Sequence, residues 1–215
     1  MIDKIQILSH PHSGSSLLKT MMERCENTVG VDGEATQVFK PIDGMINISK
    51  FPMFDSKFQL EAVADHAKVF LVRDPRYAIK SMRERYLDME VPTEHQRFLD
   101  LEYWEWYLEF FVNTSERKIR YRDIFDEERL YMLFDSLKLK PVGDIYGQYT
   151  RKLFHKKRIP HIEPSRTDHV NFRQFQLNKP IKNMNEPEYE SFFVKEQGIY
   201  TEILELKTYK QIFGQ

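Results

Sequence analysis

Ile5-Gln6-Ile7-Leu8-Ser9-His10-Pro11-His12-Ser13-Gly14-Ser15-Ser16-Leu17-Leu18 decides how this chain folds. Ile5 to Leu8 is a short apolar run that reads as a strand. Ser9 to Ser16 is a polar turn containing one glycine. Leu17, Leu18, Met21, Met22 and Cys25 then recur at helical spacing, predicting an amphipathic helix from Ser15 to about Glu26. A helix that starts in such a turn leaves backbone N–H groups unpaired and carries partial positive charge at its start, the makings of an anion site. Gly14 lets the backbone approach a ligand, and Ser13, Ser15 and Ser16 add hydroxyls. An ordinary strand-to-helix turn with a serine cap is the competing reading. The nucleotide loop G-x-x-x-x-G-K-[ST] is absent, since only Gly14 is available and no lysine follows it.

The same alternation continues downstream. Asp55 to His66 reads as a helix capped by Asp55 or Ser56. Val69-Phe70-Leu71-Val72 is a continuous apolar run of the kind a buried parallel strand shows. Arg73-Asp74-Pro75 breaks it, and Tyr77 to about Met89 reads as helix. Leu101, Trp104, Leu108 and Phe111 place an apolar stripe on one long helix from about Thr93 to Thr114. Lys118 to Tyr121 is a third strand, and Leu130, Leu133, Phe134 and Leu137 mark a further helix. A last helix runs from about Pro187 to Leu206. Strands alternating with helices predict an α/β domain around a mostly parallel sheet.

Composition narrows the classes. The 215 residues are 41% hydrophobic and 30% charged, a globular composition for a single domain spanning 1–215. Lys+Arg 32 against Asp+Glu 33 gives a net charge of -1, which argues against a general nucleic-acid binder. The single cysteine, Cys25, excludes an internal disulfide framework and a cysteine-rich zinc site. No run of 18 apolar residues predicts a membrane span, and the first strand leaves no room for a signal peptide, so a cytoplasmic protein is expected. The seven histidines, among them His155, His161 and His169, show no ligand spacing, so no metal is expected. From about 140 to 182 the chain is Pro-punctuated and basic, the composition of a lid or surface loop.

Pro11-His12-Ser13-Gly14-Ser15-Ser16-Leu17-Leu18 resembles the phosphosulfate loop of the sulfotransferases, P-[KR]-S-G-[ST]-[ST]-x-L. A second element agrees. Arg73-Asp74-Pro75 followed by Ser81 is similar to that family's 3′-phosphate motif, R-[DN]-P-x-x-x-x-x-S, with the same spacing. A third, Ile119-Arg120-Tyr121-Arg122-Asp123-Ile124, resembles its hydrophobic-x-Y-E-D-L element with Arg122 in place of Glu. The resemblance covers about residues 4 to 138 in order. It implies a P-loop NTPase-like, three-layer α/β fold. It also implies the donor 3′-phosphoadenosine 5′-phosphosulfate (PAPS), the product 3′-phosphoadenosine 5′-phosphate (PAP), and a hydroxyl-bearing acceptor (small molecule, carbohydrate or peptide).

Residue by residue, the resemblance places Pro11, His12, Ser13, Gly14, Ser15, Ser16 and Leu17 at the 5′ group and Arg73 and Ser81 at the 3′-phosphate. Tyr121 falls near the nucleotide, with a half-buried strand tyrosine as the alternative. Arg85 matches a further 3′-phosphate arginine of the protein-tyrosine sulfotransferases, against a solvated helix face. Arg173 is one candidate for a late basic loop closing on the 3′-phosphate. Gly33-Glu34-Ala35-Thr36-Gln37-Val38 resembles the G-E-x-T-x-V segment of the same enzymes, which makes Glu34 the expected general base. An exposed loop carboxylate and a competing base at His66 stay open, His66 also suiting a helix-end cap. His12 departs from the family's Lys or Arg, and histidine is only fractionally charged near neutrality. Neighbouring phosphate and sulfate would favour its cation. Lys19, one turn into the helix, is a substitute cation or a solvent-facing one. Tyr103, Trp104, Trp106, Tyr107, Phe110 and Phe111 read as core or as an acceptor pocket. A kinase of the same broad fold and a non-catalytic PAP-binding protein remain alternatives.

Overall fold

The computed structural model describes residues 2–31, 36–38, 40–56, 58–85, 93–147, 181 and 197–214. Five strands form one wholly parallel sheet: β1 (Lys4–Ser9), β2 (Thr28–Gly30), β3 (Ile46–Phe51), β4 (Ala67–Val72) and β5 (Arg117–Arg120), in the order β2-β3-β1-β4-β5. The helices are α1 (Ser15–Met22), α2 (Phe58–Ala62), α3 (Pro75–Arg85), α4 (Thr93–Gln96), α5 (Leu101–Asn113), α6 (Glu127–Ser136), α7 (Gln197–Glu205) and α8 (Lys207–Phe213). Tight 3-10 turns fill Arg97–Leu99 and Tyr121–Phe125.

Strand alternation sorts the core into two layers. Ile5, Ile7, Ile48, Val69, Leu71 and Ile119 point to the face covered by α1 and α6. Leu8, Phe70 and Val72 point to the face covered by α3, α5, α7 and α8. A six-residue strand such as Ala67–Val72 can be apolar on both faces because helices cover both. The result is the three-layer α/β arrangement the sequence predicts.

β1 lies at the centre, with β3 on one side and β4 on the other. The chain leaving β1 turns onto the α1 face, and the chain leaving β4 turns onto the α3 face. Diverging connections at the carboxyl ends of neighbouring parallel strands open a crevice, the usual ligand position in such sheets.

Several boundaries differ from expectation. β2 and β3 were not anticipated. β3 hides polar residues: Asn47 is buried, and its side chain accepts from Ile42 N and donates to the carbonyls of Asp3, Ile42 and Met45. The expected helix from Thr93 to Thr114 breaks at Asp100, whose backbone is extended (φ -92, ψ 141), and α5 begins after it. Trp104 Nε1 donates to Phe98 O across this break, so the indole holds the bend. The helix expected over Asp55 to His66 contracts to α2. Gln59 folds back on Asp55 N and Asp55 Oδ1, and the residues after Ala62 continue as turns. α1 stops at Met22 rather than near Glu26, and β5 ends at Arg120 rather than Tyr121. The expected last helix shows its end as α7, and α8 follows after a break at Leu206. Residues 148–180 of the basic segment lie outside the described residues. Among the described residues no helix is long and apolar enough to cross a membrane.

Candidate functional site

Local geometry forces the turn after β1. His12 (φ 58) and Gly14 (φ 90) both adopt the left-handed region. For Gly14 a second constraint applies. A Cβ there would sit 2.5 Å from Tyr121 Cδ2 and closer still to Cε2. Only glycine meets both demands, so the turn packs its bare backbone onto the tyrosine ring. Gly14 O then accepts from Leu17 N (2.9 Å) and Leu18 N (3.1 Å), which starts α1. The amides of Ser15 and Ser16, at the head of the helix, have no carbonyl four residues back within it.

The second loop folds onto this turn. Arg73 follows β4, and its Nη1 donates to His12 O at 2.9 Å. Its guanidinium lies 4.7 Å from the centre of the Tyr121 ring and 5.9 Å from that of Tyr77, close enough for both faces to attract the cation. Ser81, two turns into α3, places Oγ 2.9 Å from His12 Nδ1. His12, Gly14, Arg73, Ser81 and Tyr121 therefore meet at one point, although 109 positions separate the first from the last (121 minus 12).

Two buried hydroxyls flank that point. Ser9 Oγ and Ser13 Oγ have no hydrogen-bond partner among the described residues, and both residues are essentially inaccessible to solvent. An orphaned buried hydroxyl typically costs about 1–3 kcal/mol, so its persistence in a turn lined with amides fits an anionic guest. Pro11 and Leu17 are buried beneath the turn and shape it rather than face outward.

Asp74 is committed elsewhere. Its carboxylate accepts from Arg76 Nε (3.0 Å to Oδ1) and Nη2 (2.7 Å to Oδ2), and from Tyr209 Oη (2.9 Å). Its carbonyl accepts from Tyr77 N and Ala78 N at the start of α3. Asp74 therefore caps α3 and ties the late helix α8 to the site; Tyr209, over which Arg76 also lies, carries no signal in the sequence. Burial and the Asp74 charge push the Tyr209 phenol well above its ordinary value.

His66 lies away from this cluster. His66 sits just before Ala67, at the opposite end of β4. Its Nε2 accepts from Val38 N (3.1 Å), and its Nδ1 lies 2.7 Å from Asp65 Oδ1. Asp65 in turn pairs with Lys4. His66 thus ties Val38 to the Asp65–Lys4 pair, where the helix-end cap expected of it would have bonded α2. Lys19 is mostly buried and donates to Val31 O at 3.0 Å beside Glu23, rather than facing solvent. The aromatic helix α5 is core: Tyr103, Trp104, Tyr107 and Phe111 are buried, with Tyr103 Oη donating to Phe54 O and Tyr107 Oη to Leu71 O. Trp106 and Phe110 pack at the edge of the same cluster. Glu34 and Arg173 lie outside the described residues, and so does the side chain of Arg85 at the end of α3. Among the described residues no group of three His, Cys, Asp or Glu could hold a metal ion.

One residue of the site has no counterpart among the sequence candidates. His10 is fully buried between the two loops. Its Nε2 accepts from Arg73 N (3.0 Å) and its Nδ1–H donates to Pro11 O (2.8 Å). It belongs to no recurring spacing, so only the fold reveals its role.

No family model and no curated protein matches the chain. Solved structures do. The mouse sulfotransferase SULT7A1 complexed with PAP is 17% identical, with 66% of this chain and 61% of that chain covered and a TM-score of 0.47. The chain thus spans about three fifths of that protein. The sulfotransferase domain from the curacin biosynthetic pathway is 16% identical over 68% of this chain and 77% of that chain, with a TM-score of 0.49. A sulfotransferase from Alicyclobacillus acidocaldarius is 11% identical over 80% of this chain and 91% of that chain, with a TM-score of 0.46.

Proposed function

We propose that this protein is a sulfotransferase, which moves a sulfuryl group from PAPS to a hydroxyl acceptor and leaves PAP. The observation that carries the reading is the meeting of two anion loops. The turn after β1 and the loop after β4 are joined by Arg73 Nη1 to His12 O (2.9 Å) and His12 Nδ1 to Ser81 Oγ (2.9 Å). A ligand with two separate phosphate groups is the natural occupant of two adjoining anion loops. PAPS has one such group at its 5′ end and one at its 3′ end. The cradle fits it: bare backbone at Gly14, unpaired amides at the head of α1, and a buried Ser13 hydroxyl without a partner among the described residues.

In this reading Ser13, Ser15 and Ser16, with the amides of the turn, hold the 5′ group, and Pro11, Gly14 and Leu17 shape the cradle. Arg73 and Ser81 hold the 3′-phosphate, and the Tyr121 ring keeps the guanidinium flat and aimed. Arg85 and Arg173 would add charge to the same phosphate. His12 stands between the two loops, where it can donate to charge that develops on the leaving oxygen. Glu34 takes the acceptor proton as general base. Sulfuryl transfer, like phosphoryl transfer, asks mainly for positioning and charge stabilisation, and these residues supply that.

The test is a thermal-shift series with PAP, AMP, ADP and ATP. A ligand at about 100 times its Kd stabilises by ~2.7 kcal/mol, a midpoint rise of roughly 5–10 °C at this size. PAP is expected to give the largest rise, AMP a much smaller one, and Arg73→Ala should erase the difference. Equal shifts for PAP and AMP, or a larger one for ATP with Mg²⁺, would overturn the reading in favour of a kinase. PAP binding without turnover on any hydroxyl acceptor would leave a non-catalytic PAP-binding protein.

A further inference from the structure

We infer that His10 is a positioning residue that sets the distance between the two anion loops and thereby the preference for a ligand with two phosphates. The inference rests on the nucleotide reading above. The β1–β4 ladder ends at the pair Ser9↔Leu71. Beyond it the sheet no longer holds the two chains together, yet both loops begin there. His10 is the first residue after β1, and its side chain continues the link where the backbone pairing stops. Its Nδ1–H donates to Pro11 O within its own turn (2.8 Å), and its Nε2 accepts from Arg73 N in the other loop (3.0 Å). Arg73 then reaches back to His12 O (2.9 Å). These three hydrogen bonds, with the peptide link from Pro11 to His12, form a closed circuit across the crevice.

The ring cannot turn within this circuit. Trp104 meets it edge-on at 4.7 Å and Tyr107 at 5.4 Å, and Tyr107 is itself anchored to Leu71 O. One nitrogen donates and the other accepts, so the arrangement requires the neutral imidazole. Burial, helped by the Arg73 cation, lowers its pKa to about 3 and keeps it neutral across the physiological range. This separates His10 from His12 two positions on, which carries its imidazole to Ser81 instead.

Calorimetric titration of the full chain with PAP, AMP and adenosine 3′-phosphate tests the inference. His10→Phe keeps an aromatic ring against Trp104 and Tyr107 but removes both polar contacts. PAP affinity is expected to fall about tenfold or more, while each monophosphate, which engages one loop, changes less than about threefold. His10→Gln, which can still accept from Arg73 N, should recover much of the loss. A readout without ligand accompanies it: amide hydrogen exchange at Arg73 should accelerate at least about tenfold in His10→Phe, with interior amides of β1 and β4 unchanged. Where His10→Phe does not fold, His10→Met replaces it in both measurements. Equal losses for all three ligands, or an Arg73 amide that stays protected, overturn the inference. A wild-type protein that ignores PAP overturns the nucleotide reading instead, and the exchange measurement still decides whether His10 holds the loops together.

Discussion

Gly14→Ala probes the turn most directly, because the structure separates its cost into two parts. The first is conformational. At φ 90 a residue with a Cβ is strained, by about 1–2 kcal/mol for a single left-handed residue. The second is steric. The new methyl would lie 2.5 Å from Tyr121 Cδ2, where carbon atoms normally stand ~3.5–4.0 Å apart. Tyr121 is buried and its ring also carries the Arg73 guanidinium, so it yields only by disturbing the core; such overpacking costs about 1–3 kcal/mol. The total is roughly 2–5 kcal/mol, or about 4–20 °C in Tm at this chain length. Tyr121→Ala removes both clashing ring atoms and leaves the strain. Gly14→Ala should therefore cost about 1–3 kcal/mol less in the Tyr121→Ala background than in the wild type, measured by urea unfolding of all four proteins of the cycle. Because Tyr121 supports Arg73, Gly14→Ala should also weaken PAP binding at least about tenfold. Additive costs within ~0.5 kcal/mol would refute the contact between turn and ring, and undiminished PAP binding would refute its link to Arg73.

Three further outcomes are expected. Glu34→Gln should lower kcat by roughly 10²–10⁴ with PAP affinity unchanged, measured by single-turnover transfer; near-normal turnover would remove Glu34 from the mechanism. His12→Ala should lower kcat by about 10² or more, whereas His12→Lys should keep or raise it, and identical behaviour of the two would exclude an electrostatic role. Acid should destabilise the fold through His10. Its pKa is about 3 in the fold against an ordinary 6.5, so the unfolded chain binds a proton between these values that the fold does not. That contribution is complete above about pH 6.5 and is lost as pH falls toward 3, by up to ~1.4 kcal/mol per pH unit. The curve for His10→Gln should be flatter over the same window, and parallel curves would count against a buried neutral imidazole.

What the sequence disclosed follows from how each element is buried. β4 announces itself as the unbroken apolar run Val69 to Val72, and β1 as Ile5, Ile7 and Leu8 around a single Gln6. β3 is just as buried but reads Ile46-Asn47-Ile48-Ser49-Lys50-Phe51. Its polar residues look like those of a surface loop until Asn47 is seen bonded on all sides by the adjoining chain. Propensity and periodicity cannot register a polar residue that is buried because its partners are built around it. The same limit explains α5. The apolar stripe runs on through Phe98, and only the extended backbone of Asp100, with Trp104 closing over Phe98 O, ends one helical stretch and starts another. For the site, the turn and the Arg73–Ser81 spacing are local patterns and were legible. The Asp74 carboxylate, by contrast, is occupied by Arg76 and by Tyr209, which lies 135 residues away and shares no local pattern with it.

His10 and His12 show why residue type and spacing stop short of a role. They are two positions apart in one turn, and in a strand that spacing would put them on the same face. The strand has ended by then: β1 finishes at Ser9, and the left-handed backbone at His12 redirects the chain. One imidazole lies between two aromatic rings and the other reaches across to Ser81. The first is held neutral and joins the loops; the second stands where a ligand's charge would fall. Sheet topology leaves room for the first role. With β1 and β4 adjacent and their connections diverging to opposite faces, backbone pairing ends at Ser9↔Leu71, and beyond it the His10 side chain links the two loops. It accepts from Arg73 N in one loop and donates to Pro11 O in the other, a pair of bonds within reach of a neutral histidine and not of a lysine or arginine, which only donate.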